Sequence, residues 1–149
     1  METIQEQKIY TLANFLECAT EDVQETSYDD NTFKAEGGEY LVLTDSEADE
    51  KATEQIKESV WAFNTSFILG ECGLDFSGED SLKRMQENSC EDANDFMLSL
   101  IERTCGLSSF VSSAISADGR GHFLATYDGD ENEQIVDGID EYFYIYRAN

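Results

Sequence analysis

Apolar residues recur at helical spacing in several segments of the chain. The strongest pattern predicts a long helix over about 45–69, and further helices are expected over 8–19 and from Ser89 to Gly106. A stripe at helical spacing follows over 107–115, and residues 79–87 are a candidate for a short helix. The stripe of the long helix comprises Ala48, Ala52, Ile56, Val60, Phe63 and Phe67. Two helix starts match the capping-box pattern, Thr44 with Glu47 and Ser89 with Asp92.

Strand-like patterns lie nearer the two ends of the chain. The segment 33–43 predicts a hairpin that turns at Gly37–Gly38, and later strands are expected over 122–127, 133–136 and 141–147. Helices in the middle and strands outside them predict an α+β fold with three to four helices and a small antiparallel sheet. We expect residues 1–149 to form a single acidic domain, because no linker or repeat is visible.

Charge is the unusual feature of the composition. The chain has 33 acidic and nine basic residues, for a net charge of −24, and the excess is −13 in residues 1–74 and −11 in residues 75–149. Solubility of a small domain needs a net charge of only about 2–8 in magnitude. The acidity therefore points to a function or to a saline habitat.

The long helix displays this charge in an ordered row. Glu47, Glu50, Glu54 and Glu58 follow one another at spacings of three and four, with Lys51 and Lys57 as partial compensation. An ordinary solvated helix face is the simplest interpretation of such a row. We nevertheless predict a partner-binding acidic surface that comprises Asp45, Glu47, Asp49, Glu50, Glu54, Glu58, Asp128, Asp130 and Glu131.

The charge density is comparable with that of a nucleic-acid duplex. A compact domain of 149 residues has a radius of gyration of roughly 15 Å and hence a diameter of about 38 Å. A B-DNA duplex of that length holds roughly 22 phosphates, close to the 24 excess negative charges of the chain. This match favours a DNA mimic that enters the basic groove of a nucleic-acid-binding protein. Direct binding of nucleic acid is disfavoured because phosphates would be repelled.

The segment 117–133, ADGRGHFLATYDGDENE, and the closing YFYIYR at 142–147 resemble a family of small uncharacterised bacteriophage proteins. The resemblance covers roughly the last third of the chain strongly and the rest loosely. Its motifs bring no activity, so no residue inherits a role. It implies a phage origin, expression in the host bacterial cytoplasm, and a context in which inhibitors of restriction or CRISPR defences are common.

Two other classes of function remain open. One is an interaction or structural module whose acidity reflects a saline environment. The other is a small enzyme that uses Asp118, Arg120, His122 and Asp128, although a tight turn into a strand, with Arg120 paired to surface acids, explains this segment more simply. We therefore predict a protein that is not an enzyme.

Neither cofactor nor metal is predicted. The segment 128–133 resembles half of a calcium loop, but Glu133 occupies the glycine position and Ile139 the last ligand position. Cys18, Cys72, Cys90 and Cys105 have no metal-site spacing, and we expect them to be reduced and mostly buried. The polar N-terminal segment and the lack of a long apolar run predict neither a signal peptide nor a membrane span.

Overall fold

The computed structural model describes residues 2–149, and its secondary structure is mixed. In chain order, the elements are α1 Ile4–Leu16, β1 Gln24–Glu25, β2 Thr32–Ala35, β3 Gly38–Leu43, α2 Asp45–Ser59, α3 Thr65–Cys72, α4 Glu79–Ser89, α5 Asn94–Arg103, α6 Leu107–Asp118, α7 Arg120–Leu124, β4 Asn132–Gln134 and β5 Phe143–Arg147. The α+β class is confirmed. The described residues contain more helices than the three to four expected. Two helices, α2 and α3, lie where one long helix was expected, and α7 lies where a strand was expected.

The chain divides into two compact units. Unit 1 combines residues 1–52 with residues 120–149, whereas unit 2 is the continuous segment Thr53–Gly119. The division falls inside α2, between Ala52 and Thr53.

Unit 1 is built on a five-stranded antiparallel sheet with the order β1-β2-β3-β5-β4. Helix α1 packs against β3 and β5. Leu12 from this helix and Phe33, Val42, Phe143 and Ile145 from the sheet are fully buried in one core. Each of these buried side chains stabilises the fold by about 1.5–3 kcal/mol compared with an exposed one. The sheet thus rests on apolar residues from both ends of the chain.

The predicted hairpin is confirmed, with its turn one residue earlier than expected. Ala35 pairs with Gly38, so Glu36 and Gly37 form the two-residue turn. Both have positive φ, 50° and 78°, as a type I′ turn requires. Gly38 belongs to β3, where a Cβ atom would lie 2.9 Å from the carbonyl oxygen of Asn149.

Unit 2 is helical and buries Ile56 and Val60 of the predicted long stripe, whereas Phe63 and Phe67 are only half-buried. Ile56, Val60, Ile68, Ile101 and Phe110 are fully buried. The predicted helix over 45–69 is wrong as a single element, since α2 ends at Ser59 and α3 begins at Thr65. The Asn94 amide explains the break: it donates to the Lys57 carbonyl at 2.6 Å and accepts from the Trp61 amide at 3.1 Å, which satisfies backbone groups freed at the helix end.

Several other expectations need correction. Helix α1 begins earlier than predicted, because a capping box joins Thr3 and Glu6. The capping box at Thr44 and Glu47 is confirmed, whereas no side-chain cap forms at Ser89. The strand predicted over 122–127 is wrong, since residues 120–124 form α7. The strands predicted over 133–136 and 141–147 correspond to β4 and β5.

Candidate functional site: the acidic surface

Nearly all of the acidic residues face solvent. Of the 33 acids, 28 are exposed, five are half-buried and none is buried. Unit 1 holds 21 acids and five bases, and unit 2 holds 12 acids and four bases. The excess negative charge is therefore 16 in unit 1 and eight in unit 2. The near-even division between the two halves of the sequence conceals this asymmetry, because unit 1 takes residues from both ends.

Glu47 is bound to a buried lysine, which removes it from the freely available surface. Lys8 is only 2% exposed, and its Nζ donates to Glu47 Oε1 at 2.8 Å and to Asn31 Oδ1 at 2.5 Å. Burial tends to raise the pKa of Glu47, but the hydrogen bonds from Lys8 and from the Thr44 amide outweigh it and lower the pKa. Glu47 thus takes part in the capping box at the N-terminus of α2 and neutralises the charge of Lys8.

Arg120 brings together three of the predicted surface acids. Its Nη1 lies 2.9 Å from Asp45 Oδ1 and 3.1 Å from Asp49 Oδ1, and its Nε lies 2.7 Å from Glu131 Oε1. The same Nη1 donates to the Asp45 carbonyl at 3.1 Å. The Arg120 side chain is only 10% exposed, whereas the side chains of Asp45 and Asp49 are 69% and 59% exposed. Solvent and salt therefore screen these two pairs more than the pair with Glu131, which is 33% exposed.

Two tyrosines of β5 complete the surroundings of Arg120. The guanidinium lies 4.7 Å from the ring centre of Tyr144, a cation–π contact. The hydroxyl of Tyr146 donates to Glu131 Oε1. Burial would lower the pKa of Arg120, yet its bonds to Glu131 and Asp45 raise it. Burial and the bond to Glu131 both raise the pKa of Tyr146, so the hydroxyl stays protonated as a donor.

The loop that carries Asp128, Asp130 and Glu131 packs tightly against α7. A Cβ atom on Gly121 would lie 2.4 Å from the Gly129 carbonyl oxygen and 2.9 Å from the Glu131 amide nitrogen. The Asp128 carboxylate accepts from the Asp130 amide at 3.0 Å. The glycine thus lets the backbone of the loop approach the helix closely, while both aspartates remain exposed.

Glu50, Glu54 and Glu58 are solvent-exposed and follow one another along α2, and we call these three residues the exposed row. Their spacing of four residues places them on one side of the helix, about 6 Å apart along its axis. Across residues 2–149, no salt bridge involves their carboxylates. Lys51, expected to compensate Glu47, instead lies 3.7 Å from Asp29. The exposed row therefore keeps its charge available to a partner.

The bases of unit 1 are engaged in internal contacts. Lys8, Lys51 and Arg120 bind the acids already described, and Lys34 lies 3.8 Å from Glu39. The guanidinium of Arg147 lies 3.8 Å from the ring centre of Tyr127. Few cations thus remain to interrupt the acidic surface of this unit.

The segment considered for catalysis shows no assembled site in the described residues. His122 is exposed and stacks edge-on against Phe123, and across residues 2–149 no hydrogen bond involves its imidazole. Arg120 is engaged with acids, as the simpler interpretation expected, although it is the first residue of a helix, α7, rather than part of a turn into a strand. Within the described part of the chain, no group of three or more His, Cys, Asp or Glu side chains has the arrangement of a metal site.

The cysteines are unpaired, and their burial differs from the expectation. Cys72 alone is buried, Cys18 and Cys105 are half-buried, and Cys90 is exposed. Burial is the main cause of the raised pKa of Cys72, and it also raises the pKa of Cys18. Raised values keep both thiols protonated at neutral pH and weakly nucleophilic.

Comparisons with protein-family models, curated proteins and solved structures found no match for the chain. Across residues 2–149, none of the helices combines the length and the apolar character needed to cross a membrane.

Sequence reasoning missed the buried Lys8 and the partners of Arg120, which both shape this surface. Lys8 lies on the buried face of α1, one helical turn before the core residue Leu12, and this position could have identified it as a buried cation in need of an acid. Arg120 was assigned a surface pairing, but nothing in the sequence pointed to its partners Asp45 and Asp49, which are more than 70 residues away.

Proposed function

We propose that this protein is a phage-encoded acidic DNA mimic that acts in the host bacterial cytoplasm. It would occupy the basic groove of a host nucleic-acid-binding defence protein, of the restriction or CRISPR type, and block access of nucleic acid. The phage context comes from the sequence resemblance, and the mode of action comes from the charge.

The observation that carries the proposal is the exposed row, which has no evident role in stability. Glu50 and Glu54, and likewise Glu54 and Glu58, are like-charged neighbours, and each pair costs a few tenths of a kcal/mol. Glu58 also lies at the C-terminal end of α2, where the helix dipole disfavours an acid. Charge that opposes folding is expected where it serves binding.

The affinity for such a partner should depend steeply on salt. A basic groove that binds DNA releases condensed counterions from the duplex, and each neutralised phosphate contributes about 0.9 to the slope of log K against log salt. We expect the protein to be captured by the same grooves and released by moderate salt. An affinity that is flat across this range would exclude an electrostatic mimic.

The test compares two variants with the same change in net charge. The first replaces Glu50, Glu54 and Glu58 by Gln; the second replaces the scattered exposed residues Glu21, Glu25 and Glu87 by Gln. The immobilised proteins are exposed to bacterial lysate treated with nuclease, and bound proteins are eluted with duplex DNA or with salt.

Wild-type protein should retain nucleic-acid-binding proteins that duplex DNA displaces. The row variant should lose most of this binding and show a less steep dependence on salt, whereas the scattered variant should lose much less. Equal losses would indicate nonspecific charge attraction, and retention that duplex DNA cannot displace would contradict mimicry.

A further inference from the structure

We propose that Arg120 is a positioning residue that clamps the acidic loop 128–131 onto the N-terminal end of α2. The clamp would convert acids from two distant segments into one ordered acidic face before any partner arrives. Its relevance to binding rests on the proposed function, but the clamp itself does not.

The contacts of Arg120 reach both segments at once. One nitrogen binds Asp45 and Asp49 on α2, and another binds Glu131 in the loop. Three carboxylates converge on a single guanidinium that is 10% exposed. Without Arg120, these like charges would repel one another across the gap that the guanidinium now fills.

A second, independent contact holds the loop from the side of α7. Gly121 has no side chain, and the Gly129 carbonyl occupies the place where a Cβ atom would be. The amide of Gly129 donates to the Ala125 carbonyl at 2.7 Å, which ties the loop to the end of α7. Arg120 and Gly121 are thus adjacent residues that fix the same loop by different means, one by charge and one by close backbone approach.

A clamp also distinguishes these acids from those of the exposed row. Arg120 neutralises one of three charges, so the cluster of four side chains keeps a net charge of −2. Asp128 and Asp130 next to it add further exposed charge. The acidic face therefore loses only one negative charge, and its carboxylates gain fixed positions. Fixed positions matter if the partner's basic groove binds phosphates at a regular spacing.

Hydrogen exchange of the isolated protein tests the clamp without a partner. The amides to follow are those of Gly129 and Asp130, which both have acceptors. In Arg120→Gln they should exchange at least tenfold faster than in the wild type, and in Arg120→Lys the loss should be smaller because part of the charge pairing returns. Gly121→Ala should also accelerate exchange, since the added Cβ atom must displace the loop while Arg120 is retained.

Arg84→Gln is the matched control, because it makes the same charge change at an exposed arginine outside the clamp. It should leave the exchange of Gly129 and Asp130 unchanged. Wild-type exchange rates in a folded Arg120→Gln variant would overturn the proposal. If that variant does not fold, Glu131→Gln removes one of the three ion pairs, and unchanged exchange in Glu131→Gln would then overturn it. Because no partner is used, failure of the proposed function leaves this result unaffected.

Discussion

Two sets of acids on α2 look alike in the sequence and differ in their surroundings. Asp45, Glu47 and Asp49, which we call the paired acids, each meet a cation from a distant segment of the chain. Glu50, Glu54 and Glu58, the exposed row, are solvent-exposed and take part in no salt bridge of the described residues. The helix dipole strengthens this difference, since acids are favoured at the N-terminus of a helix and disfavoured at its C-terminus.

The difference shows that a high acidic charge does not have one uniform role. The paired acids hold α1 and the loop 128–131 in place, so part of the charge of this protein is structural. The exposed row costs stability and remains available for binding. Substitutions of single residues can separate the two roles.

The largest effect is expected from Glu47→Gln, which should lower the free energy of unfolding by about 3 kcal/mol. The variant leaves Lys8 charged and buried, and breaking a buried pair costs about 3–5 kcal/mol, with the lower value expected because Glu47 is 35% exposed. Gln still serves in a capping box, so the change isolates the charge pair. Denaturant unfolding measures it.

Glu54→Gln is the control for this comparison, because it is the same substitution on the same helix without a paired lysine. It should change the free energy of unfolding by less than about 0.5 kcal/mol. Equal effects of the two substitutions would mean that the paired acids and the exposed row do not differ energetically.

The gap in stability between the wild type and Glu47→Gln should depend on pH. The pKa of Glu47 is below its ordinary value of 4.5 in the folded protein, so its stabilising contribution is complete above that value and is lost as the pH falls through the lowered pKa. When unfolding is measured from pH 7 to pH 3, the difference in unfolding free energy between the wild type and Glu47→Gln should first stay constant and then decrease toward zero. A gap that widens in acid would reverse the sign of this linkage.

Replacing the whole exposed row by Gln should keep or slightly raise stability. Two like-charged pairs are relieved, each by a few tenths of a kcal/mol, and the helix propensity of Gln is close to that of Glu. A thermal melt of the triple variant at low ionic strength measures the change. A loss of more than 1 kcal/mol would place the row among the structural acids.

The smallest effect is expected from His122→Ala. The side chain is exposed and makes an edge-on contact with Phe123 alone among the described interactions, so stability should change by less than about 0.5 kcal/mol. Binding to the partners captured from lysate should also be retained. Loss of function with an intact fold would instead favour the enzyme hypothesis.

The sequence predicted those features that depend on neighbouring residues. The hairpin around Gly37, the capping box at Thr44 and Glu47, and the buried stripe from Ala48 to Val60 all follow from local spacing. The end of α2 was missed because it is set by the side chain of Asn94, 35 residues beyond Ser59, which satisfies the freed backbone groups.

The candidate site was predictable in its charge and not in its pairing. The exposed positions of the row follow from helical periodicity, whereas the partners of Asp45, Glu47 and Asp49 depend on how distant segments meet. The strand expected over 122–127 was wrong for a related reason. Residues 120–124 form α7, and a Cβ atom on its Gly121 would lie 2.4 Å from the Gly129 carbonyl oxygen, a contact that local spacing does not reveal.

The discontinuity of unit 1 has a consequence for synthesis on the ribosome. Strand β3 pairs with β5, so Val42 meets Ile145, 103 positions later in the chain. The nascent sheet must therefore wait with an open edge at β3 until nearly the whole chain has emerged, while unit 2, a continuous segment, can fold first. During that wait, the unpaired edge of β3 is the point at which two nascent chains could join, and mutual repulsion between their many carboxylates would keep them apart.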